Sequence, residues 1–155
     1  MISAQESNLA KHPIPCVRIF LMNEKNEILL GKRTECNLYG LPGGKIEMFE
    51  EPEETAVREL KEETNISLQT IDFVLIKVKN IFNKEWGLHY VNFYYLAAFP
   101  HEQEIKNLEE KKTEDWIWMS ESKINEKYEE MFWGLKQFAK DYGSFHEIIE
   151  MFKKL

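Results

Sequence analysis

The segment from Leu41 to Ile66, LPGGKIEMFEEPEETAVRELKEETNI, has fewer ways to fold than any other part of the chain. It opens on a glycine turn, crosses an acidic loop, and enters a helix at Pro52, where a fixed helical φ and a missing N–H cost nothing. Glu53 and Glu54 then fall in the first turn, at the positive end of the helix dipole. At about 100° per residue, Ala56, Val57 and Leu60 form one apolar stripe, with Glu59, Glu62 and Glu63 along its edge. Glu63 borders the stripe and is expected to be partly buried. Carboxylates at i, i+3 and i+4 repel one another on an isolated helix. Hard oxygen ligands on one rigid face are what Mg²⁺ or Mn²⁺ requires, and a cation among them reverses the sign of that repulsion.

Around this helix, predicted to span residues 52–64, the chain reads mainly as strands. IPCVRIFLM, from Ile14 to Met22, and EILLGKR, from Glu27 to Arg33, read as two strands joined by a turn at Asn23 to Asn26. DFVLIKVKNIF alternates so that Val74, Ile76 and Val78 are expected to face the core. A long strand rich in β-branched and aromatic residues, Leu88 to Phe99, is its expected partner. A charged loop leads to a short strand at Trp116 to Met119, whose two tryptophans share a face as core or pocket wall. From about Ser122 the pattern is helical, with a stripe at Met131, Phe132, Leu135, Phe138 and Ala139 closed by Gly143, and a last amphipathic stretch follows in SFHEIIEMFKKL. Residues 1 to 12 are polar and expected to be loosely ordered. Strands, a helix, more strands and terminal helices predict an α/β sandwich with helices on the faces of a sheet.

The 155 residues, 43% hydrophobic and 30% charged, suit a single domain spanning 1–155. A net charge of −7 argues against binding a nucleic-acid polymer, whose recognition surfaces are usually basic. A small phosphate ligand brought in by metal ions is compatible with that charge. Cys16 and Cys36 are too few for a disulfide framework and lack zinc-site spacing, which predicts reduced thiols in a cytoplasmic protein, with Cys16 in a strand core. Neither a leader peptide nor a membrane span is expected. Oligomeric state stays open, because NFYYLAAF suits a partner copy in a homodimer as well as a core.

Gly44, five residues, Glu50, seven residues, then Arg58-Glu59-Leu60-Lys61-Glu62-Glu63 resembles the Nudix box, G-x5-E-x7-R-E-U-x-E-E-x-G-U with U aliphatic, here over 44–66. Asn65 stands where the final glycine belongs, and asparagine tolerates the left-handed helix end after glycine. Phe49 and Glu51 replace the glycine and the Ser or Thr cap common in relatives, which predicts a stiffer loop and a weaker cap. The resemblance implies a Nudix α/β/α sandwich with a mixed β-sheet, and an enzyme that cleaves a nucleoside diphosphate linked to another moiety. It implies divalent ions, Mg²⁺ with Mn²⁺ as substitute, on Glu59, Glu62, Glu63 and the Gly44 carbonyl. Arg58 would orient the carboxylates, and Glu59 or Glu62 would be the general base. Glu109 and Glu110 are candidates for an extra acid, or a solvated charged loop. Arg33 resembles a phosphate-contacting arginine.

Beyond the box, HYV at His89, NLEEKK with Trp116 and Trp118, and FWGL look like the MutT-type nucleoside triphosphate diphosphatases that act on guanine nucleotides. In that subgroup Phe132, Trp133, Gly134 and Leu135 would line a base pocket, although aromatics at helical spacing also suit a core. His89 is read either as a pocket residue or as a satisfied polar group. The implied activity is a Mg²⁺-dependent pyrophosphohydrolase giving a nucleoside monophosphate and pyrophosphate, in nucleotide-pool sanitation. The alternatives are the same chemistry on a pterin triphosphate or prenyl diphosphate, and a ligand-binding domain without catalysis.

Overall fold

Nine residues of one strand, IPCVRIFLM, bury side chains on both faces from Cys16 to Met22 except at Arg18, which places this strand at the centre of a sheet covered on both sides. The computed structural model describes residues 12–142 and 145–155, and shows seven strands, β1 (Ile14–Met22), β2 (Ile28–Arg33), β3 (Tyr39–Gly40), β4 (Gly43–Lys45), β5 (Val74–Asn83), β6 (Leu88–Ala98) and β7 (Thr113–Met119). The helices are α1 (Pro52–Thr64), α2 (Glu121–Glu126), α3 (Trp133–Tyr142) and α4 (Phe145–Lys153). Residues 1–11 and Gly143, for which loose order and a helix stop were expected, lie outside the described residues.

The sheet is mixed. β1 runs parallel to β6, and its other pairings, with β2 at Met22 and with β4 from Cys16 to Arg18, are antiparallel. The path β3-β2-β1-β6-β5 leaves β5 at an edge, while β7 pairs with β2 and β4 with the front half of β1. Because side chains alternate across a strand, Val17, Ile19 and Leu21 pack with Ala56 and Leu60 of α1. Phe20 and Met22 pack on the opposite side, with Leu135 and Phe138 of α3 and Ile148 of α4. The expected α/β/α layering is present, and full burial of Leu60 contributes about 2 kcal/mol to it.

The box helix starts and stops where expected. At its start, the Glu54 carboxylate accepts from the Glu51 N–H at 2.8 Å and Thr55 Oγ1 donates to Glu50 at 3.0 Å, contacts that compensate for the absent Ser or Thr. At its end Asn65 takes φ 67°, and its N–H donates to the Lys61 carbonyl at 3.1 Å. Phe49, at the place of the glycine, adopts a left-handed φ of 69° with its ring in solvent.

Two expectations are corrected. Val74 and Val78 do not face the core, being 39% and 46% exposed, and only Ile76 packs against it. The register slips between Leu75 and Lys77, so the bulge at Ile76 reverses which residues face which side. Lys77 then pairs with Tyr94, and Val78 is left on a face of an edge strand. The second correction concerns the C-terminal helix, which is not continuous from Ser122. After α2 and a 3₁₀ turn at Tyr128–Glu130, Met131 is extended and bridges Tyr39, and the Phe132 N–H donates to the Tyr39 carbonyl at 2.8 Å. Pairing with β3 interrupts the helix and sets where α3 begins.

Candidate active site

β4 is where the box meets the sheet. Gly43 has φ 150° and lies so close to β1 that a Cβ would stand 2.0 Å from the Val17 carbonyl oxygen, so only glycine fits. Its N–H donates to Glu63 Oε2 at 3.1 Å. A Cβ on Gly44 would meet Glu59 Oε1 at 2.2 Å, which shows how closely that carboxylate rests on the glycine backbone. Two glycines thus bring β4 against α1, and both contacts are made to acids of the box.

Arg58 organises the other side of the same acids. It donates to Glu50 at 3.0 Å, Glu59 at 2.9 Å, Glu62 at 3.3 Å and the Lys45 carbonyl at 3.2 Å. Burial opposes its charge, but its hydrogen bonds to Glu59 and Glu50 outweigh that and hold its pKa above the usual value. Glu63, 8% exposed, is pushed up to about 8 by desolvation, against the opposing pull of Arg33. Glu59 is also raised, again chiefly by burial.

The chemistry of this donor set suits a hard divalent ion. Glu59, Glu63 and the Gly44 backbone are in one place, Glu62 is one turn away, and all present oxygen. Among the described residues no three acidic, histidine or cysteine side chains converge into a closed cluster. Arg58 accounts for this, since it draws Glu59 and Glu62 onto itself while Glu63 is held by Gly43. Glu59, Glu62 and Glu63 would hold the ion together with the Gly44 carbonyl.

Glu59 and Glu63 form one wall of a cleft of about 740 Å³. Arg18, Arg33, Lys45, Lys111 and Lys112 line it as well, so acidic and basic groups share one opening. Arg33 closes β2 and is largely buried; its Nη2 donates to the Leu41 carbonyl at 3.4 Å and its guanidinium carbon lies 5.7 Å from the centre of the Phe132 ring. Gly40 leaves room for it, since a Cβ there would stand 3.1 Å from Arg33 Nε. Desolvation lowers its pKa, and its buried Nε has no partner. An arginine in that position meets an anion at lower desolvation cost than one taken from water.

The other expected site residues divide. Phe132 lines the cleft, and Trp133 stacks beside it with ring centroids 5.2 Å apart. Gly134 and Leu135 line an adjoining recess with Arg18, Leu41, Asn92 and Tyr94. Glu109 is held by Lys112 at 2.9 Å and its charge is felt by Glu59, whereas Glu110 is exposed. His89 is not brought to the cleft. It pairs with Phe82 across the strands, its ring contacts Phe82, and its Nε2 lies 2.8 Å from Asn80 Oδ1. Its neighbours Tyr90, which lines the cleft, and Asn92, which lines the recess, have the opposite parity on β6.

Sequence reasoning assigned no role to Arg18, Tyr90 or Asn92, and read Trp116 only as core or pocket wall. Arg18 carried a signal, as the lone charge inside an apolar strand. Tyr90 and Asn92 share a strand parity with the core residues Tyr94 and Leu96 and His89 shares one with Tyr95 and Ala97, so both faces of β6 are core and alternation alone does not choose between them. Trp116 packs over Gly31, and its indole N–H donates to the Glu63 carbonyl at 3.2 Å. Nothing local in the sequence marks that bond.

Residues 12–142 match the model of the NUDIX domain, and the chain belongs to this family. Over 46 residues it is 48% identical to a putative 8-oxo-dGTP diphosphatase of Bacillus subtilis, covering 30% of this chain and 31% of that protein. It is 47% identical over 53 residues to the 8-oxo-dGTP diphosphatase of Escherichia coli, covering 32% of this chain and 41% of the relative. The matches therefore span less than half of these relatives. Among solved structures, a MutT NUDIX hydrolase from Burkholderia pseudomallei superposes with a TM-score of 0.66 at 29% identity, over 73% of this chain and 87% of that one. Among the described residues no helix is long and apolar enough to cross a membrane.

Proposed function

We propose that the chain is a Mg²⁺-dependent pyrophosphohydrolase that converts a nucleoside triphosphate to the monophosphate and pyrophosphate. The observation that carries this reading is the cleft with two kinds of wall, acids from α1 facing basic residues from β1, β2 and the loop before β7. Neither wall alone suits a triphosphate. The acids need a cation between themselves and the ligand, and the arginines need an anion. When bound, Mg²⁺ would neutralise charge on the phosphates and make a water more acidic.

The chain's own residues then have distinct tasks. Arg33 holds phosphate oxygens and fixes the anhydride for in-line attack. Arg58 keeps Glu59 and Glu62 from splaying apart. Water forms a bond to phosphorus, the bridging P–O bond breaks, and the water's proton passes to a carboxylate. Glu59 suits that last task better than Glu62, since it lines the cleft and burial raises its basicity. Nucleotide-pool sanitation fits the activities named for the Bacillus subtilis and Escherichia coli relatives.

Product analysis tests the reading. Nucleoside triphosphates are incubated with Mg²⁺ beside a pterin triphosphate, a prenyl diphosphate and a 5′-triphosphorylated RNA, the last because a relative in Roseobacter denitrificans, 37% identical over 62 residues, is an RNA pyrophosphohydrolase. The expected products are monophosphate and pyrophosphate from free nucleotides, with none in EDTA. Undiminished turnover in EDTA, or orthophosphate as the first product, overturns it.

A further inference from the structure

Among the described residues Phe49 is the most exposed large apolar side chain, at 98%, and Met48 beside it is 80% exposed. Both stand at the tip of a β-turn closed by the Glu50 N–H, which donates to the Glu47 carbonyl at 3.1 Å. Phe49 takes the third position of that turn, where a positive φ favours glycine. The tip is firmly held. Arg58 grips both of its ends, Glu50 at 3.0 Å and Glu47 at 3.8 Å, and Thr55 Oγ1 donates to Glu50 at 3.0 Å. Where the loop leaves the sheet, the Ile46 N–H donates to the Pro15 carbonyl at 3.0 Å. An apolar pair presented on such a frame has already lost the entropy that binding costs, which is the condition of an interface anchor.

The surroundings of the tip say what covers it. Glu47, with its side chain 67% exposed, and the exposed Glu51 flank the two apolar residues. Those charges oppose an anionic membrane surface and call for an apolar slot with a basic rim. The chain carries such a slot in its own cleft of about 740 Å³, where Phe132 and Tyr90 lie beside Arg18, Arg33 and Lys111. Arg33 also keeps a buried Nε without a partner. One chain does not fill its own slot. Glu47, at the base of the tip, already lines the cleft, while the bonds to Arg58 hold the Phe49 ring out in solvent.

We propose that two copies of this chain pair about a two-fold axis, each seating Phe49 in the cleft of the other. Tip and cleft adjoin at Glu47, so one axis satisfies both contacts at once, and each copy gives and receives the same contact. The ring packs on Phe132 of the partner subunit, and Glu47 and Glu51 face the partner's Arg33. A phenylalanine buries about 150–250 Å². Two such rings with their methionines make an interface at the low end, below about 1,200 Å², which marks a transient complex. A dissociation constant of about 10–100 µM is expected, so dilute protein is monomeric. The pairing occupies the cleft, and a ligand of the cleft competes with the partner's tip. The inference rests on the shape and charge of the cleft and not on the hydrolysis proposed above.

Sedimentation velocity from about 1 to about 500 µM, a range that brackets the expected constant, tests the pairing. The parent is expected to pass from monomer to dimer. Phe49→Gly, which removes the tip, and Arg33→Met, which spoils the cleft, should each stay monomeric. Circular dichroism checks the fold of the second, and Arg18→Met replaces it if it does not fold. An equimolar mixture of the tip variant and the cleft variant should regain association, at least about tenfold weaker than the parent, because the tip of one fits the intact cleft of the other and only one of two contacts survives. A parent that is monomeric throughout overturns the proposal. So does a dimer that Phe49→Gly leaves intact, which would place the interface elsewhere, on the exposed Val78 and Phe82 of β5 for example. A mixture as monomeric as its components overturns it as well. Sedimentation reads association whatever the chain cleaves, so a failure of the hydrolase reading leaves this test unchanged.

Discussion

Phe49 occupies the backbone conformation that glycine adopts freely, at φ 69° and 98% exposed. A side chain in the left-handed region costs about 1–2 kcal/mol, and this ring repays none of it by packing. Glycine at the same place would lose somewhat more chain entropy on folding. Phe49→Gly is therefore expected to stabilise the protein by about 0.5–1 kcal/mol, read as a higher urea midpoint at unchanged slope. A lower midpoint would mean that the ring has a partner in solution. At this scale the sequence was informative wherever a residue's role followed from its backbone. Asn65 was expected to end α1 left-handed and does so. For Arg58 the resemblance implied that it orients the carboxylates, but its partners Glu47 and Glu50, from the loop before its helix, were not legible in the residues themselves.

α1 was legible as an element because its stripe, its first-turn acids and its terminal asparagine all point to the same thirteen residues. The broken C-terminal helix was not. Apolar spacing persists through Tyr128–Met131, and only the bridge to Tyr39, from a two-residue strand too short for periodicity to show, interrupts it. β5 misled for a similar reason, since one inserted residue at the bulge shifts the parity of everything after it. The site depends on such cross-element contacts too. The last turn of α1 would present unpaired carbonyls, and segments from elsewhere satisfy them: the Lys106 N–H donates to Thr64 at 2.9 Å and the Trp116 indole to Glu63 at 3.2 Å. Trp116→Phe deletes the bond and part of the six-membered ring that packs over Gly31. It is expected to cost about 1–3 kcal/mol of stability. It should also weaken Mg²⁺ binding severalfold, because the backbone that carries the Glu63 side chain loses a support. Thermal melts with and without Mg²⁺ separate the two effects. If the variant matches the parent in both, the bond has no positioning role.

At the scale of the whole molecule, the net charge of −7 and a buried acid in the cleft tie stability to pH and to metal. The pKa of Glu63 is about 8 in the folded, metal-free protein, against 4.5 for an ordinary glutamate. Between those values the folded chain holds a proton that the unfolded chain has released, so stability must fall as pH rises through the window. The contribution is fully present below pH 4.5 and lost above about 8. At about 1.4 kcal/mol per pH unit its ceiling is about 5 kcal/mol. Glu59, also raised by burial, acts in the same direction. A divalent ion competes with that proton, so Mg²⁺ should stabilise little at pH 5 and progressively more towards pH 8. Thermal melts in EDTA and in Mg²⁺ across this range, on the parent and on Glu63→Gln, measure the linkage. The substitution leaves an uncharged group in the same volume, so it should flatten the EDTA profile, remove most of the Mg²⁺ gain, and lower turnover by at least about a hundredfold. Parent and variant profiles that run parallel would show that Glu63 is already ionised without metal, and that the dry acidic wall of the cleft does not exist in solution.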